Sequence, residues 1–297
     1  MLFKKTPDIL YHRGEYDEKF YNERVNRSLG WMGNNEEEQK KNQNIIKNVT
    51  IGVAGTGGIG GSTAARLIRS GCLNIKIADI DLFDTSNIQR QMGAELGNLG
   101  RNKAEVVFEQ LARITKDTSI TAYTNGINNH NAEDFVDGCD YILDQIDVYA
   151  VDAHYALHRA FRGSKKCKCI LTTLTIGHCA FTFKYTHDSM KIEDVYGVPD
   201  KAEKDLTQQE LNKLVKRIVP IFPESSISKG TFDEWWLKNK VVSIFSGCPP
   251  LCEGVLAERI LMEILNFKGF KEIPMQPGYA VIDLFNWKAF IYNGKWW

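Results

Sequence analysis

Residues 49–62 read VTIGVAGTGGIGGS and decide the fold. The run 49–54 is apolar, rich in β-branched residues and followed by glycine, as is typical of a buried parallel strand. Gly55, Gly57 and Gly60 then form a GxGxxG pattern that leads into a helical periodicity. Glycines at these positions allow a tight turn and let the backbone approach a phosphate, while the helix N-terminus supplies free N–H groups. The stretch therefore predicts a strand, a nucleotide-binding turn and a helix.

Strands and helices alternate after this turn. Helical periodicity occurs at 59–70, 101–115, 133–138 and 148–162. Short β-rich runs lie between and after these helices at 74–81, 119–124, 141–147, 169–177 and 179–186, and a last stretch at 279–294 predicts a hairpin. Interleaved strands and helices form βαβ units and a mostly parallel sheet. We therefore expect an α/β, doubly wound, Rossmann-like fold with C-terminal antiparallel strands.

The remaining segments define the expected domain organisation. Residues 1–48 are polar and charged, and they predict an N-terminal helical arm. Residues 49–297 predict one domain, in which 187–246 breaks the strand–helix rhythm. We interpret this segment as an insertion over an edge or mouth of the sheet. Its aromatic pair, Trp235 and Trp236, fits either a pocket lining or a core filling.

Composition limits the class of protein. Among 297 residues, Lys plus Arg and Asp plus Glu are both 37, so the formal net charge is zero, which argues against a dedicated nucleic-acid binder. No run of about 18 apolar residues predicts a membrane span. Seven cysteines without a secretory signal indicate free thiols and a cytoplasmic location. Because no CxxC occurs, we expect no zinc site.

A second motif separates the possible nucleotide enzymes. Residues 79–91 read DIDLFDTSNIQRQ, and Asp79 and Asp81 end the second strand, where an acid can bind ribose hydroxyls. Arg90 and Lys103 can both reach a phosphate chain laid on the first helix N-terminus. A triphosphate needs such cations, whereas a nicotinamide oxidoreductase leaves them without a role. The pattern favours an ATP enzyme, with the oxidoreductase as the alternative.

Two further acids follow the fourth predicted strand. Asp144 and Asp147 lie in DQID at its C-terminal end, where ligands bind in open α/β sheets. An acid beside a triphosphate indicates Mg²⁺, which binds one or two carboxylates plus phosphate oxygens. The active mouth is therefore expected at the C-terminal ends of the first, second and fourth strands.

The order GxGGxG, DxD, SNxQRQ, GxxK and DxxD resembles the ThiF/MoeB/HesA family of adenylyltransferases, which are related to the ubiquitin-activating enzymes. The resemblance covers residues 20–185 and, more loosely, 246–266. It implies an enzyme that uses ATP and Mg²⁺ to convert a carboxylate into an acyl-adenylate with release of pyrophosphate. The implied partner is the C-terminus of a ubiquitin-like or sulfur-carrier protein, often a glycine, or of a peptide. A homodimer is implied as well.

The resemblance also assigns roles to individual residues. Asp147 would hold Mg²⁺, and Asp79 would bind the ribose. One arginine of the N-terminal segment would reach the phosphates bound by a dimer partner. Arg24 is slightly preferred to Arg27 for this role. The other implied ATP-binding residues are Gly55, Gly57, Gly58, Gly60, Asp81, Ser86, Asn87, Gln89, Arg90 and Lys103.

Cys252 is the implied candidate for a thioester-forming cysteine. It lies in CPPLCEGV, directly before a helix predicted to begin near Glu253, and a helix N-terminus lowers the pKa of a thiol. Cys179 and Cys248 are the other candidates for the thioester. The alternative for Cys252 is a structural role, as a small buried residue that packs a crossover loop.

Two alternatives share this fold. One is a tRNA-modifying dehydratase of the same family, which the zero net charge disfavours because tRNA contact needs a basic face. The other is a non-catalytic subunit of an activating enzyme. The presence of Arg90, Lys103 and Asp147 argues against that second alternative.

Overall fold

The structure is a computed structural model that describes residues 7–222 and 227–297. The first residues of the expected arm, 1–6, and residues 223–226 of the expected insertion lie outside the described residues. The strands are β1 Ile9–His12, β2 Thr50–Ala54, β3 Asn74–Ala78, β4 Ser119–Tyr123, β5 Tyr141–Asp144, β6 Ile170–Ile176, β7 Cys179–Tyr185, β8 Tyr279–Asp283 and β9 Lys288–Tyr292. The helices are α1 Glu18–Val25, α2 Glu36–Asn48, α3 Gly60–Arg69, α4 Lys103–Ala112, α5 Ala132–Val136, α6 Val151–Gly163, α7 Ile192–Tyr196, α8 Gln208–Ile218, α9 Lys229–Asp233 and α10 Cys248–Leu265.

The described strands form one nine-stranded sheet in the order β1-β4-β3-β2-β5-β6-β7-β8-β9. Five central strands run parallel to one another, in the order β4, β3, β2, β5 and β6. Strands β7, β8 and β9 continue the sheet antiparallel, as a meander on the β6 side. The predicted α/β class and the C-terminal antiparallel strands are both confirmed.

Strand β2 lies at the centre and sets the position of the binding crevice. The chain proceeds from β2 through β3 to β4 on one side, and then returns to pair β5 with the other side of β2. Ile51 and Val53 pack in one core cluster and Ala54 in the other, so the strand is buried on both faces. A reversal of strand order opens a crevice at the carboxyl ends of the strands. The glycine turn follows β2 directly into that crevice.

Strand β1 was not predicted. It pairs antiparallel with β4, from Ile9 opposite Tyr123 to His12 opposite Ile120, and forms one edge of the sheet. The strand has only four residues, ends in a histidine and is flanked by charged residues. So short a segment shows too little alternation of apolar and polar residues to predict a strand. The expected N-terminal arm therefore contributes a strand as well as helices.

Helix α1 is fixed to the body of the domain by buried polar contacts. The Tyr21 hydroxyl donates to the carbonyl of Gly71 at 3.0 Å. Arg24 donates from Nε to Asp117 Oδ2 at 2.9 Å and from Nη1 to the carbonyl of Ile68 at 2.7 Å. The Asp117 side chain has no exposed surface, and that of Arg24 is 14% exposed. Arg24 therefore serves as a brace within its own chain.

The described part of the 187–246 segment covers one face of β6 and β7. Its longest helix, α8, begins with a capping box between Thr207 and Glu210 and buries Leu211, Leu214, Val215 and Ile218 in the same core cluster as Tyr185. Trp236 is 2% exposed and stacks on Phe232 with ring centroids 4.9 Å apart, so it fills the core. Trp235 is 45% exposed. Within residues 7–222 and 227–297, no helix combines the length and apolar character needed to cross a bilayer.

Replacing the brace should destabilise the fold. We expect Arg24→Ala to lower the free energy of unfolding by about 3 kcal/mol, because it leaves the buried Asp117 carboxylate without its charged partner. Arg27→Ala is the matched control: Arg27 is exposed, and its loss should change stability by less than about 0.5 kcal/mol. Urea denaturation followed by circular dichroism measures both variants. Equal stability of the two would contradict the assigned role of Arg24.

Candidate functional site

The four glycines of the turn divide into two pairs with different roles. Gly55 has φ 89°, and a Cβ there would collide with the carbonyl of Gln145. A Cβ on Gly60 would collide with the carbonyl of Gly55. Gly57 and Gly58 are less restricted, since an added Cβ would lie 3.6 Å from Gln91 and 3.4 Å from Arg90. Gly55 and Gly60 thus shape the turn, while Gly57 and Gly58 keep its surface open.

A pocket of about 260 Å³ opens over this turn. It lies at the carboxyl ends of β2, β3 and β5, the position that the sequence analysis gives to the active mouth. The implied site residues that line it are Gly55, Gly57, Gly58, Asp79, Asp81, Arg90, Lys103 and Asp147. The chain brings these residues together from segments up to about ninety residues apart.

Asp79 connects the end of β3 to the glycine turn. Its Oδ2 accepts from the backbone N–H of Thr56 at 2.7 Å and from the Thr56 hydroxyl at 3.0 Å, and its Oδ1 accepts from the Asp81 N–H at 3.0 Å. Burial raises the pKa of Asp79. A carboxylate has about four acceptor sites, so capacity remains for a ribose hydroxyl. Asp79 can therefore shape the turn and bind the sugar of a nucleotide at once.

Two cations line the pocket, Arg90 and Lys103. Lys103, at the first position of α4, is 6% exposed and donates from Nζ to Asp81 Oδ2 at 2.9 Å. Arg90 donates from Nη1 to the carbonyl of Ser86 at 3.1 Å. Desolvation lowers the pKa of Arg90, but a guanidinium remains charged at neutral pH. The pocket therefore presents two positive groups near an open glycine turn, which suits a polyphosphate.

Three implied ATP-binding residues do not line the pocket but lie in the segment that leads to Arg90: Ser86, Asn87 and Gln89. The Asn87 Oδ1 accepts from the Asp84 N–H at 3.1 Å, and the Ser86 N–H donates to Asp84 Oδ1 at 2.6 Å. Gln89 donates from Nε2 to the carbonyl of Ile244 at 2.9 Å. These contacts hold a short 3₁₀ turn in place, and direct binding of a nucleotide by the three residues stays a prediction.

Asp147 and Asp81 place two carboxylates in the same pocket. Asp147 Oδ1 accepts from the Tyr149 N–H at 3.0 Å. Desolvation raises the pKa of Asp147, and the nearby negative charge of Asp81 raises it further. Carboxylate oxygens together with phosphate oxygens are the donor set that Mg²⁺ prefers. This donor set fits the implied cation, with Asp147 and Asp81 as the residues that would hold it.

Asp144 is not part of the pocket, and the expectation that it lies there with Asp147 is wrong. It is 1% exposed, and its Oδ2 contacts His154 Nδ1 at 2.8 Å and His158 Nε2 at 3.0 Å. Burial alone would raise the pKa of Asp144, but His154 and the hydrogen bonds of both histidines lower it. The three side chains could surround a metal ion, yet these hydrogen bonds already pair them.

His154 links this buried cluster to the pocket, and the sequence analysis missed it. Its Nε2 lies 3.1 Å from the carbonyl oxygen of Asp147, and its ring lines the pocket. Since both ring nitrogens face oxygen acceptors, the doubly protonated ring fits best, and Asp144 raises the pKa of His154 despite its burial. The available signal was the four-residue spacing of His154 and His158 on one predicted helix, directly after DQID.

Arg24 and Cys252, which the resemblance also places in the site, do not line the pocket either. Arg24 is paired with Asp117 as described above, while Arg27 is exposed to solvent. Cys252 is fully buried in the second turn of α10, and burial raises its pKa to about 12. The lowered pKa expected for this thiol is therefore wrong, because α10 buries the residue instead of presenting it at its N-terminus. Burial also raises the pKa of Cys179, to about 12, and that of Cys248.

Two glycine variants separate the shape of the turn from the space above it. We expect Gly57→Ala to keep its stability but to bind Mg²⁺-ATP at least about tenfold more weakly, because the methyl group occupies the ligand's side of the turn. Gly60→Ala should instead lose about 2 kcal/mol of stability or more, since the new Cβ collides with backbone. Calorimetric titration and urea unfolding measure the two effects. A Gly57→Ala protein that binds ATP normally would contradict the placement of the nucleotide.

The sequence is similar to those of several known proteins. A sequence model described as the ThiF family matches residues 26–284. The chain is 32% identical over 116 residues to the tRNA threonylcarbamoyladenosine dehydratase of Bacillus subtilis, which covers 39% of this chain and 46% of that protein. It is 34% identical over 103 residues to the adenylyltransferase and sulfurtransferase UBA4 of Kluyveromyces lactis, covering 35% of this chain and 23% of that protein. The chain thus spans less than half the length of these curated relatives.

Solved structures show the same fold over most of the chain. Escherichia coli MccB in complex with AMPCPP and MccA superposes with a TM-score of 0.65 and 15% identity, covering 94% of this chain and 72% of that one. The E. coli tRNA N6-threonylcarbamoyladenosine dehydratase TcdA superposes with a TM-score of 0.57 and 18% identity, covering 84% of this chain and 97% of that one.

Proposed function

The chain belongs to the ThiF family, and from this premise we propose that it is an ATP-dependent adenylyltransferase that activates a carboxylate. The observation that carries the proposal is the pocket itself. Arg90, Lys103 and Asp147 line one pocket together with the open glycines Gly57 and Gly58. This arrangement provides positive charge for a triphosphate and carboxylate oxygens for its cation. The chemistry of a nicotinamide oxidoreductase does not need this set of cations and carboxylates. Membership of the ThiF family also argues against that alternative.

The proposed reaction is the attack of a carboxylate on the α-phosphate of ATP. A carboxylate oxygen forms a new bond to the α-phosphorus, the bond to the bridging oxygen breaks, and pyrophosphate leaves. A carboxylate is already ionised at neutral pH, so the protein needs no general base. Its task is to position the two reactants and to neutralise the charge that develops on the phosphates. Arg90 and Lys103 perform that neutralisation.

The cation and the acids have supporting roles. Mg²⁺, when bound, would neutralise part of the triphosphate charge, and Asp147 with Asp81 would hold it. Lys103 forms an ion pair with Asp81 at 2.9 Å. This contact keeps the ammonium group at the pocket wall before nucleotide binds. Asp79 would orient the ribose while it fixes Thr56 in the turn.

We also propose that the enzyme works as a homodimer in the cytoplasm. The family resemblance implies an arginine that reaches the partner's phosphates. Arg27 fits that role better than Arg24, because Arg27 is exposed whereas Arg24 is committed to Asp117.

A tRNA-modifying dehydratase is the second candidate function. It is supported by the 32% identity to the dehydratase of B. subtilis. It uses the same proposed adenylation chemistry, with a carboxylate on a nucleoside as the group activated. The zero net charge of the chain does not favour tRNA binding.

ATP–pyrophosphate exchange tests the proposal. We expect purified protein with Mg²⁺ to show exchange that depends on one member of a panel of small β-grasp proteins, free-acid peptides, N-acetyl amino acids and tRNA. Arg90→Ala should reduce that exchange at least about 100-fold, because the charge on the phosphates loses a partner. Arg113→Ala, an exposed arginine at the end of α4, is the matched control and should leave it unchanged. Exchange that survives Arg90→Ala would overturn the assigned role of Arg90.

A further inference from the structure

The pocket continues beyond the nucleotide-binding turn into an inner chamber. We define this chamber by Leu174, Phe183, Tyr185, Val195, Tyr196 and Ile218, all of which line the same pocket as Gly57. The floor comes from β6 and β7, where Thr172 pairs with Phe183 and Leu174 with Phe181. The cover comes from α7 and α8 of the 187–246 segment. The chamber is therefore built by the part of the chain that the proposed adenylation chemistry does not use.

The chamber is apolar and aromatic, and it carries little charge. We call the part of the pocket lined by the glycine turn, Asp79, Asp81, Arg90, Lys103 and Asp147 the nucleotide end. Beyond it, Arg217 is the one Lys, Arg, Asp or Glu among the described lining residues. Its Nη1 donates to the carbonyl of Asp194 at 2.7 Å, and its guanidinium lies 5.2 Å from the Trp297 ring centroid. The cation is thus held by backbone and ring. A positively charged ligand group would lose its hydration here with no acidic side chain among the described lining residues of the chamber to pair with it.

One polar atom in the chamber wall has no partner. Gln276 lines the pocket and is 4% exposed, and its Oε1 is buried with no hydrogen bond from any described residue. Nearly all buried polar atoms in proteins are hydrogen-bonded, and leaving one unpaired is costly. An acceptor in this state matches a ligand that brings an N–H or O–H donor. Burial also raises the pKa of Tyr185 and Tyr196, so both stay neutral hydroxyls.

We propose that the inner chamber binds the side chain of the carboxylate substrate, and that this substrate is an α-carboxylate with a bulky apolar or aromatic side chain. The inference rests on the proposed function, because carboxylate activation requires an acid next to the nucleotide. A C-terminal glycine would leave the chamber empty and bury no apolar surface. A C-terminal Lys would place a second positive charge in the chamber that Arg217 lines. The Gln276 Oε1 acceptor suits an aromatic side chain that carries its own donor, such as a phenol or an indole.

Leu174 offers a way to fill the chamber without overpacking the core. Its side chain is partly exposed to the pocket, so a larger side chain can extend into the empty space. Leu174→Trp should block the chamber and leave the nucleotide end unchanged. Leu96→Trp is the matched control, because Leu96 is 85% exposed and does not line the pocket.

Calorimetric titration in two stages tests the proposal. The first stage measures binding of Mg²⁺ and the ATP analogue AMPCPP to the whole chain. The second adds Nα-acetyl-Phe, Nα-acetyl-Leu, Nα-acetyl-Gly or Nα-acetyl-Lys, and the matching Ala-Ala-X peptides, to the protein saturated with analogue. We expect the Phe and Leu acids to bind at least about tenfold more tightly than the Gly and Lys acids. Leu174→Trp should abolish this preference with AMPCPP affinity unchanged, and Leu96→Trp should retain both.

The two arms identify the source of the carboxylate. Tighter binding of the tripeptides indicates a peptide C-terminus, and equal binding indicates a small free acid; both support the chamber. Leu174→Phe serves as a second variant if Leu174→Trp does not fold, and it should weaken the binding of the Phe acid about fivefold or more. AMPCPP binding with no preference for Phe and Leu over Gly and Lys would overturn the chamber assignment alone. Absence of AMPCPP binding would overturn the proposed function and the chamber assignment with it.

Discussion

The hydrogen bonds of Asp79 to Thr56 are the contact on which the site depends. They join the end of β3 to the first loop residue after Gly55, and the Gly55 N–H adds a bond of 2.7 Å to the carbonyl of Ala78. On the other side, the Gln145 N–H donates to the carbonyl of Ala54 at 2.7 Å. The turn is therefore held between two parallel neighbours. Its open glycines keep one fixed position relative to the charges that arrive from the rest of the chain.

A second polar system holds the acidic side of the pocket. Asp144 lies in the core at the end of β5, and two histidines of α6 hydrogen-bond to it. One of them, His154, also contacts the carbonyl of Asp147. The carboxylate in the pocket is thus positioned by a buried carboxylate three residues earlier. Both acids come from the same DQID segment, but one lies in the core and the other lines the pocket.

Much of the nucleotide end could be predicted from the sequence, because its signals are local. The glycine turn, Asp79, Arg90, Lys103 and Asp147 stand next to recognisable strand ends and helix starts, and the fold brings them to one pocket. The errors concern properties that depend on distant contacts. The Cys252 pKa depends on what α10 packs against, and the environment of Arg24 depends on Asp117, 93 residues away in the chain. The inner chamber lies between β6 and β7 and its cover, α7 and α8. No periodic pattern in the sequence shows that these helices pack on those strands.

A structure of the protein with Mg²⁺ and AMPCPP tests the central claim most directly. The account predicts that the phosphates lie over Gly57 and Gly58, within hydrogen-bond reach of Arg90 and Lys103. The ribose should contact Asp79, the cation should contact Asp147, and the α-phosphate should face the opening of the inner chamber. A nucleotide bound elsewhere, or phosphates directed away from Arg90 and Lys103, would contradict the account.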